Sequence, residues 1–238
     1  MVTDSSAEGL AQRAEPPAAP AFAAFLSDLL VVPVVEIASA GDAVPLARAL
    51  LQAGLPCAEI TFRTAAAAGA IAAIAEAVPD VRVGAGTVLT VAQAEDALTA
   101  GAAFLVAPGF DAAVVELALE RGVPVMPGVC TPTEVGLALA HGLSLVKLFP
   151  AEALGGVTYL KALAAPFGDV RFVPTGGISA DNLAAYLALD RVIACGGSWM
   201  VRKDLIAAHD FDAIGRLAAQ AREIACAARP AAGGERAS

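Results

Sequence analysis

Cysteine and histidine, the usual ligands of zinc, are scarce in this chain of 238 residues. The four cysteines lie far apart and form no CxxC pair, which argues against a structural zinc site and against a disulfide framework. The two histidines, His141 and His209, are too few and too far apart to make a metal site. The sequence therefore predicts a protein that holds no metal.

An excess of positive charge and long hydrophobic runs are also absent from the sequence. The net charge is −9, whereas nucleic-acid binders normally present a basic face. The longest stretch without a charged residue, Ala97–Phe110, is shorter than the roughly 18–20 apolar residues that span a bilayer. The first twenty residues contain no apolar core of a secretory signal. We therefore expect a soluble, cytoplasmic protein that binds neither nucleic acid nor membranes.

Hydrophobic residues are abundant, at 58 % of the chain, and they follow a repeated pattern. A short run rich in β-branched residues is followed by an alanine-rich helical segment, eight times in succession. The strand runs are Val31–Ile37, Ala58–Phe62, Val81–Thr87, Ala103–Ala107, Val123–Met126, Leu143–Leu148, Val170–Thr175 and Val192–Gly196. Helical segments are predicted at Ala43–Ala53, Ala65–Val78, Ala92–Ala100, Ala112–Arg121, Thr133–His141, Val157–Ala165 and Asp181–Ala188.

This alternation is typical of an α/β protein with a parallel sheet. Eight units in about 200 residues fit a single (β/α)8 TIM barrel better than an open sheet with a second domain. We place the barrel at residues 21–227, from a lead-in helix at Ala21–Leu30 to an amphipathic helix that begins at Phe211. Residues 1–20, without a hydrophobic period, are predicted to be a disordered tail, and residues 228–238 a frayed one.

Glycine and proline follow several predicted strands at their carboxyl ends, which form the active face of such barrels. Gly176-Gly177 follows the seventh run, and Gly196-Gly197-Ser198 closes the eighth, ahead of a helix start. Backbone N–H groups and a helix start at these two positions favour an anion, and they match the phosphate site common in barrels.

Lys147 ends an apolar run in which Leu143, Leu145 and Phe149 share its parity, so all four side chains lie on one face of a strand. An inward-facing lysine is costly while charged, and its neutral amine is a nucleophile for a ketone or aldehyde. The alternative is a lysine at a strand end whose ammonium group reaches solvent.

Glu59 and Arg63 share the parity opposite to Ile60 and Phe62, so both point inward if the apolar pair faces the outer helices. A carboxylate there can move protons, and a guanidinium can bind a carboxylate or phosphate with two hydrogen bonds. The alternative is an ion pair within the strand. Gly84-Ala85-Gly86-Thr87 ends the third run, either as a tight turn or as backbone that approaches a ligand closely, with the Thr87 hydroxyl beside it.

Six strand ends together resemble the class I family of 2-keto-3-deoxy-6-phosphogluconate aldolase, which also acts on 4-hydroxy-2-oxoglutarate. The resemblance covers roughly Phe22 to Ala227. It is carried by Glu59-Ile60-Thr61-Phe62-Arg63-Thr64, Val83-Gly84-Ala85-Gly86-Thr87-Val88-Leu89, Ala107-Pro108-Gly109, Lys147-Leu148-Phe149-Pro150-Ala151-Glu152, Pro174-Thr175-Gly176-Gly177-Ile178-Ser179 and Gly196-Gly197-Ser198-Trp199. It implies a (β/α)8 barrel, usually a homotrimer, that cleaves the phosphorylated sugar acid to pyruvate and glyceraldehyde 3-phosphate without a cofactor.

The resemblance also implies roles for individual residues. Lys147 matches the lysine that forms the Schiff base, and Glu59 matches the general acid/base. The other matching positions bind the pyruvyl carboxylate (Arg63, Thr87), line its pocket (Pro108, Phe149), bind the phosphate (Gly176, Gly177, Gly197, Ser198) or mark the gluconate branch (Thr175).

Three alternatives stay open at this point. One is an aldolase for the galactonate-derived substrate, whose family members carry an apolar residue at the position of Thr175. The second is a sugar-phosphate isomerase or epimerase, which needs no lysine adduct. The third is a barrel that binds a sugar phosphate without catalysis.

Overall fold

A computed structural model describes residues 18–229 and gives an α/β fold. The lead-in helix α1 spans Ala18–Leu29 and so begins before the predicted Ala21. Phe22 and Leu26 lie one helical turn apart on its buried face, and the Phe22 ring packs on Phe104 with 4.9 Å between centroids. Residues 1–17 and 230–238, which include most of both predicted tails, lie outside the described residues.

Strands and helices then alternate along the chain as the pattern predicts. The strands are β1 Val31–Val35, β2 Cys57–Thr61, β3 Arg82–Gly86, β4 Leu105–Val106, β5 Val125–Met126, β6 Gly128–Val129, β7 Leu145–Leu148, β8 Arg171–Pro174 and β9 Cys195–Gly197. The helices after α1 are α2 Ala43–Gln52, α3 Ala67–Ala77, α4 Val91–Thr99, α5 Ala112–Glu120, α6 Pro132–Ala140, α7 Gly156–Ala164, α8 Leu183–Leu187, α9 Lys203–Ala207 and α10 Phe211–Ala228. The short strand β6 was not predicted, and helix α9 was predicted only as a helix start after the eighth run, without bounds.

The strands form a curled parallel sheet in two hydrogen-bonded parts. Six strands follow the order β5-β4-β3-β2-β1-β9, and three follow the order β6-β7-β8. Pro127 separates β5 from β6, and proline has no N–H to continue a ladder. Two single parallel bridges, Phe172 with Val192 and Thr175 with Gly196, connect β8 to the β9 segment.

The helices cover the sheet through small apolar faces. Ala67, Ala70, Ile71 and Ile74 recur at helical spacing on the buried face of α3. Helix α10 packs against α2 and α8. No helix within residues 18–229 combines the length and the apolar character needed to cross a membrane. Because neighbouring strands run parallel, the loops after β1, β2, β7, β8 and β9 meet at one end of the sheet.

Candidate active site

Lys147 and Glu59 form a buried ion pair across the interior of the curled sheet. Lys147 lies in β7 and Glu59 in β2, which belong to different hydrogen-bonded parts of the sheet. The Lys147 Nζ lies 3.3 Å from the Glu59 Oε1. The two residues are only 4 % and 1 % exposed, so Lys147 does not reach solvent as the alternative interpretation required. The Phe149 ring centroid lies 5.4 Å from the Lys147 Nζ.

Glycine on β3 makes room for this pair. A Cβ on Gly86 would overlap the side chain of Glu59, so a larger residue would displace the carboxylate. The next residue, Thr87, has a φ of +55°, a left-handed conformation that is unusual for a β-branched residue. Strained backbone of this kind costs of order 1–3 kcal/mol and is concentrated at functional sites.

Pro108 lies one strand away from the lysine. Gly128 is the register partner of Lys147 on β6, and a Cβ on Gly128 would collide with the Pro108 carbonyl group. The backbone after β4 therefore packs directly beside the strand pair that carries the lysine.

A cavity of about 450 Å³ opens at the carboxyl ends of the strands. Seven of the residues predicted for the site line it: Arg63, Phe149, Thr175, Gly176, Gly177, Gly197 and Ser198. Thr87, Pro108 and the buried pair lie outside its lining. The cavity joins loops from β2, β7, β8 and β9, so most of the predicted site is brought to one place.

The glycines of this cavity are required by backbone geometry. Gly176 and Gly177 have φ values of +96° and +83°, which L side chains rarely adopt. A Cβ on Gly197 would overlap the Trp199 ring, so the indole packs directly on that backbone. Helix α9 begins only at Lys203, so loop backbone rather than a helix start surrounds Ser198. Consecutive glycine N–H groups in such loops form anion-binding concavities.

Arg63 has a partner that the sequence did not predict. It lies beyond the end of β2, and its Nη1 is 3.5 Å from the Oε2 of Glu36, which follows β1. Lys203 Nζ lies 2.5 Å from the Oε1 of the same carboxylate. The hydrogen bond from Lys203 lowers the pKa of Glu36 below its ordinary value, against a smaller opposing effect of burial, and Arg63 lowers it further. An ion pair between Glu59 and Arg63 within the strand was the alternative, and it is not observed.

Glu36 and Lys203 line the cavity and were missed by the sequence analysis. Glu36 had a usable signal, because it is the one charged residue of the first predicted strand run and lies near the carboxyl end of that run, where barrel sites take their residues. Lys203 had none, since only the start of a helix after the eighth run was predicted and not the residues in it.

The geometry of the buried pair and the cavity indicates a class of protein. A buried amine in contact with a carboxylate can form an imine with a ketone and exchange protons around it. The adjacent cavity supplies glycine N–H groups and a guanidinium for an anion. Among residues 18–229, no group of three or more His, Cys, Asp or Glu side chains is placed to hold a metal ion. This fold and site geometry are of the kind that an enzyme needs if it uses a lysine to act on anionic carbonyl compounds.

Comparison with known proteins identifies the family. The model of the KDPG and KHG aldolase family matches residues 23–217. The 2-dehydro-3-deoxy-phosphogluconate aldolase of Treponema pallidum (strain Nichols) is 54 % identical over 199 residues, which cover 84 % of this chain and 95 % of that protein. The KHG/KDPG aldolase of Escherichia coli (strain K12) is 47 % identical over 193 residues, 81 % of this chain and 91 % of that protein.

A solved structure agrees with these sequence matches. The KDPG aldolase of Legionella pneumophila, in which pyruvate was captured at low pH as a covalent carbinolamine intermediate, superposes with a TM-score of 0.80. It is 38 % identical, and the match covers 83 % of this chain and 96 % of that chain. This chain belongs to the KDPG and KHG aldolase family.

Proposed function

We propose that this chain is a class I aldolase that cleaves 2-keto-3-deoxy-6-phosphogluconate to pyruvate and glyceraldehyde 3-phosphate. The observation that carries the proposal is the buried contact of 3.3 Å between Lys147 Nζ and Glu59 Oε1. The carbinolamine that the Legionella pneumophila relative forms with pyruvate supports the same chemistry.

Lys147 is the nucleophile in this proposal. Its ammonium must lose a proton before the amine can attack, and the Glu59 carboxylate, whose Oε1 lies 3.3 Å from the Lys147 Nζ, accepts that proton. The amine attacks the C2 ketone of the substrate to give a carbinolamine. Loss of water, for which Glu59 supplies the proton, gives an iminium ion that accepts electrons from the C3–C4 bond.

Glu59 then acts as the base of the cleavage step. It takes the proton of the C4 hydroxyl, directly or through one water, as the C3–C4 bond breaks and the aldehyde leaves. The electron pair of that bond forms an enamine, which is protonated at C3. Hydrolysis of the resulting iminium releases pyruvate and regenerates Lys147.

The two anionic ends of the substrate are assigned to opposite sides of the site. Arg63 and Thr87 bind the carboxylate, with Pro108 and Phe149 lining its pocket, and Arg63 exchanges its Glu36 partner for the substrate. Gly176, Gly177, Gly197 and Ser198 bind the phosphate through backbone and hydroxyl donors. The positive φ values at Gly176 and Gly177 support this assignment.

A second substrate is 4-hydroxy-2-oxoglutarate, cleaved to pyruvate and glyoxylate. The combined name of the family and of the Escherichia coli relative supports it. Thr175 lines the cavity and favours the gluconate-derived over the galactonate-derived sugar acid.

We also propose that the two parts of the sheet form one closed (β/α)8 barrel within residues 21–227. Only Pro127 separates β5 from β6, which supports closure between the two parts of the sheet at that edge. At the other edge, the bridges from Phe172 to Val192 and from Thr175 to Gly196 support closure. Homotrimeric assembly is a further prediction from the resemblance, and a cytoplasmic location is a further prediction from the sequence.

An assay with the phosphorylated sugar acid tests the function. Formation of pyruvate, measured by coupling to lactate dehydrogenase and NADH, is expected in buffer containing EDTA. Conversion of a sugar phosphate to an isomer without pyruvate would instead support the isomerase class. Binding without turnover would support a non-catalytic barrel.

A further inference from the structure

Glu152 contacts the glycine loop of the cavity without lining the cavity itself. It follows β7, whereas Gly176 and Gly177 follow β8. The Glu152 N–H donates to the Gly176 carbonyl at 3.0 Å. A Cβ on Gly177 would lie 2.5 Å from the Cβ of Glu152, so the glutamate side chain packs against the Gly177 backbone.

A buried tyrosine donates a hydrogen bond to the carboxylate of Glu152. Tyr186 lies on α8 with 0 % of its surface exposed, and its hydroxyl donates to the Glu152 Oε1 at 2.5 Å. Burial, and then the hydrogen bond and charge of Glu152, raise the pKa of Tyr186. The hydroxyl therefore stays protonated, and remains a donor, over the whole range in which an enzyme of this kind works.

A loop made of two glycines needs external contacts to fix the direction of its N–H groups. Glycine populates more backbone conformations than any other residue, and neither Gly176 nor Gly177 has a side chain that could pack. Asn182 holds one side of the loop, since its Nδ2 donates to the Gly177 carbonyl at 3.0 Å. Glu152 contacts both glycines from the neighbouring strand end.

We propose that Glu152 is a positioning residue for the phosphate subsite, and that the Tyr186 hydroxyl holds it in place. The proposal rests on the proposed function, because it takes the phosphate of the substrate to bind at Gly176 and Gly177. The substrate 4-hydroxy-2-oxoglutarate has no phosphate, so its cleavage does not use this loop. A purely structural role would instead affect both substrates alike.

Tyr186→Phe is the first variant, since it removes only the hydroxyl group and keeps the packed aromatic ring. We expect KM for the phosphorylated sugar acid to rise roughly five- to tenfold, the size of effect that one lost hydrogen bond produces, with kcat within about twofold. Both constants for 4-hydroxy-2-oxoglutarate are expected to stay unchanged.

Tyr159→Phe is the matched control. The Tyr159 hydroxyl donates to the Cys130 carbonyl, and Tyr159 does not line the cavity. This variant removes the same atom from another hydrogen-bonded tyrosine, and we expect neither substrate to be affected. If it shifted KM for the phosphorylated substrate as Tyr186→Phe does, the proposal would be overturned.

Glu152 variants keep the test valid if Tyr186→Phe folds poorly. Glu152→Ala, at an exposed position, should reproduce the rise in KM for the phosphorylated substrate, whereas Glu152→Gln, which keeps an acceptor for Tyr186, should retain most of the affinity. The double variant Glu152→Ala/Tyr186→Phe should be no weaker than Glu152→Ala alone, because the two residues act as a unit. Additive losses would contradict the proposal.

The outcomes separate this inference from the proposed function. An active wild-type enzyme whose Tyr186 and Glu152 variants affect both substrates equally, or neither, overturns the positioning role alone. A wild-type enzyme that cleaves neither substrate overturns the proposed function.

Discussion

The buried Lys147–Glu59 pair and the cavity mouth differ in how far their charged side chains are exposed to solvent. Lys147 and Glu59 make one contact of 3.3 Å away from solvent. At the mouth, the side chains of Arg63 and Lys203 are 50 % and 67 % exposed and share the carboxylate of Glu36. Charge is costly in the first region and well solvated in the second, where an ion pair contributes only about 0–1 kcal/mol.

In the proposed function, the buried pair carries out the chemistry and the cavity mouth binds the anionic substrate. A buried amine and acid can exchange a proton with little competition from water, which suits imine chemistry. Solvated cations and glycine N–H groups can bind and release an anionic substrate without large reorganisation. We therefore expect substitutions in the buried pair to change kcat and substitutions around the glycine loop to change KM.

Lys147→Ala should give the largest effect. Loss of the nucleophile is expected to abolish pyruvate formation, to the limit of a coupled assay. The variant also leaves the Glu59 carboxylate buried without its partner, which costs about 3–5 kcal/mol in comparable pairs. Urea unfolding should show that the double variant Lys147→Ala/Glu59→Gln regains part of this stability. Residual turnover close to the wild-type rate would remove the basis for assigning the chemistry to the buried pair.

Glu59→Gln should be the next most severe change. The amide keeps the shape of the carboxylate but transfers no proton, so kcat should fall about 10²–10⁴-fold. Lys147 should still form a pyruvate imine that borohydride reduces, seen as a mass increase of the intact protein. A Gln variant that turns over at the normal rate would show that another group moves the protons.

Gly86→Ala tests the buried region without replacing Lys147 or Glu59. The added methyl group would overlap Glu59, so we expect a lower kcat with a smaller change in KM. Steady-state kinetics with the phosphorylated substrate provide the measurement. If only KM changed, the proposal that the buried pair governs kcat and the glycine loop governs KM would be wrong.

Gly177→Ala makes the corresponding change at the mouth and should have the smallest effect on kcat. Its φ of +83° and the Glu152 Cβ at 2.5 Å both oppose a side chain, so KM for the phosphorylated substrate should rise. Gly136→Ala in α6, where a Cβ would meet nothing within 4 Å, is the control, and it should stabilise the protein by about 0.5–1 kcal/mol without a kinetic effect. An equal loss with 4-hydroxy-2-oxoglutarate would argue that Gly177 acts on the whole site and not on the phosphate.

Most of the fold could be predicted because the chain repeats one local pattern. Each predicted strand run overlaps a strand of the sheet, since short β-branched runs between alanine-rich helical segments favour buried parallel strands over other secondary structure. Strand β6 escaped prediction because only Pro127 separates it from β5, and a break in a ladder depends on the neighbouring strand. Helix α9 has only five residues, and unlike the predicted segments it is not alanine-rich, since Lys203 and Asp204 begin it.

The sequence indicated which of these residues lie close together, but not which of them are in direct contact. Parity indicated that Lys147 and Glu59 face inward, yet their direct contact joins positions 88 residues apart. The partner of Arg63 depends on where Glu36 and Lys203 meet at the mouth, which no local spacing specifies. The same holds for Glu152 and Tyr186, whose hydrogen bond joins the loop after β7 to α8.

Reduction of the enzyme with borohydride in the presence of pyruvate, followed by peptide mapping, tests the central claim most directly. We predict one stable adduct, on the peptide that contains Lys147, and none on Lys161 or Lys203. An adduct on a different lysine, or no adduct while pyruvate formation continues, would contradict the account.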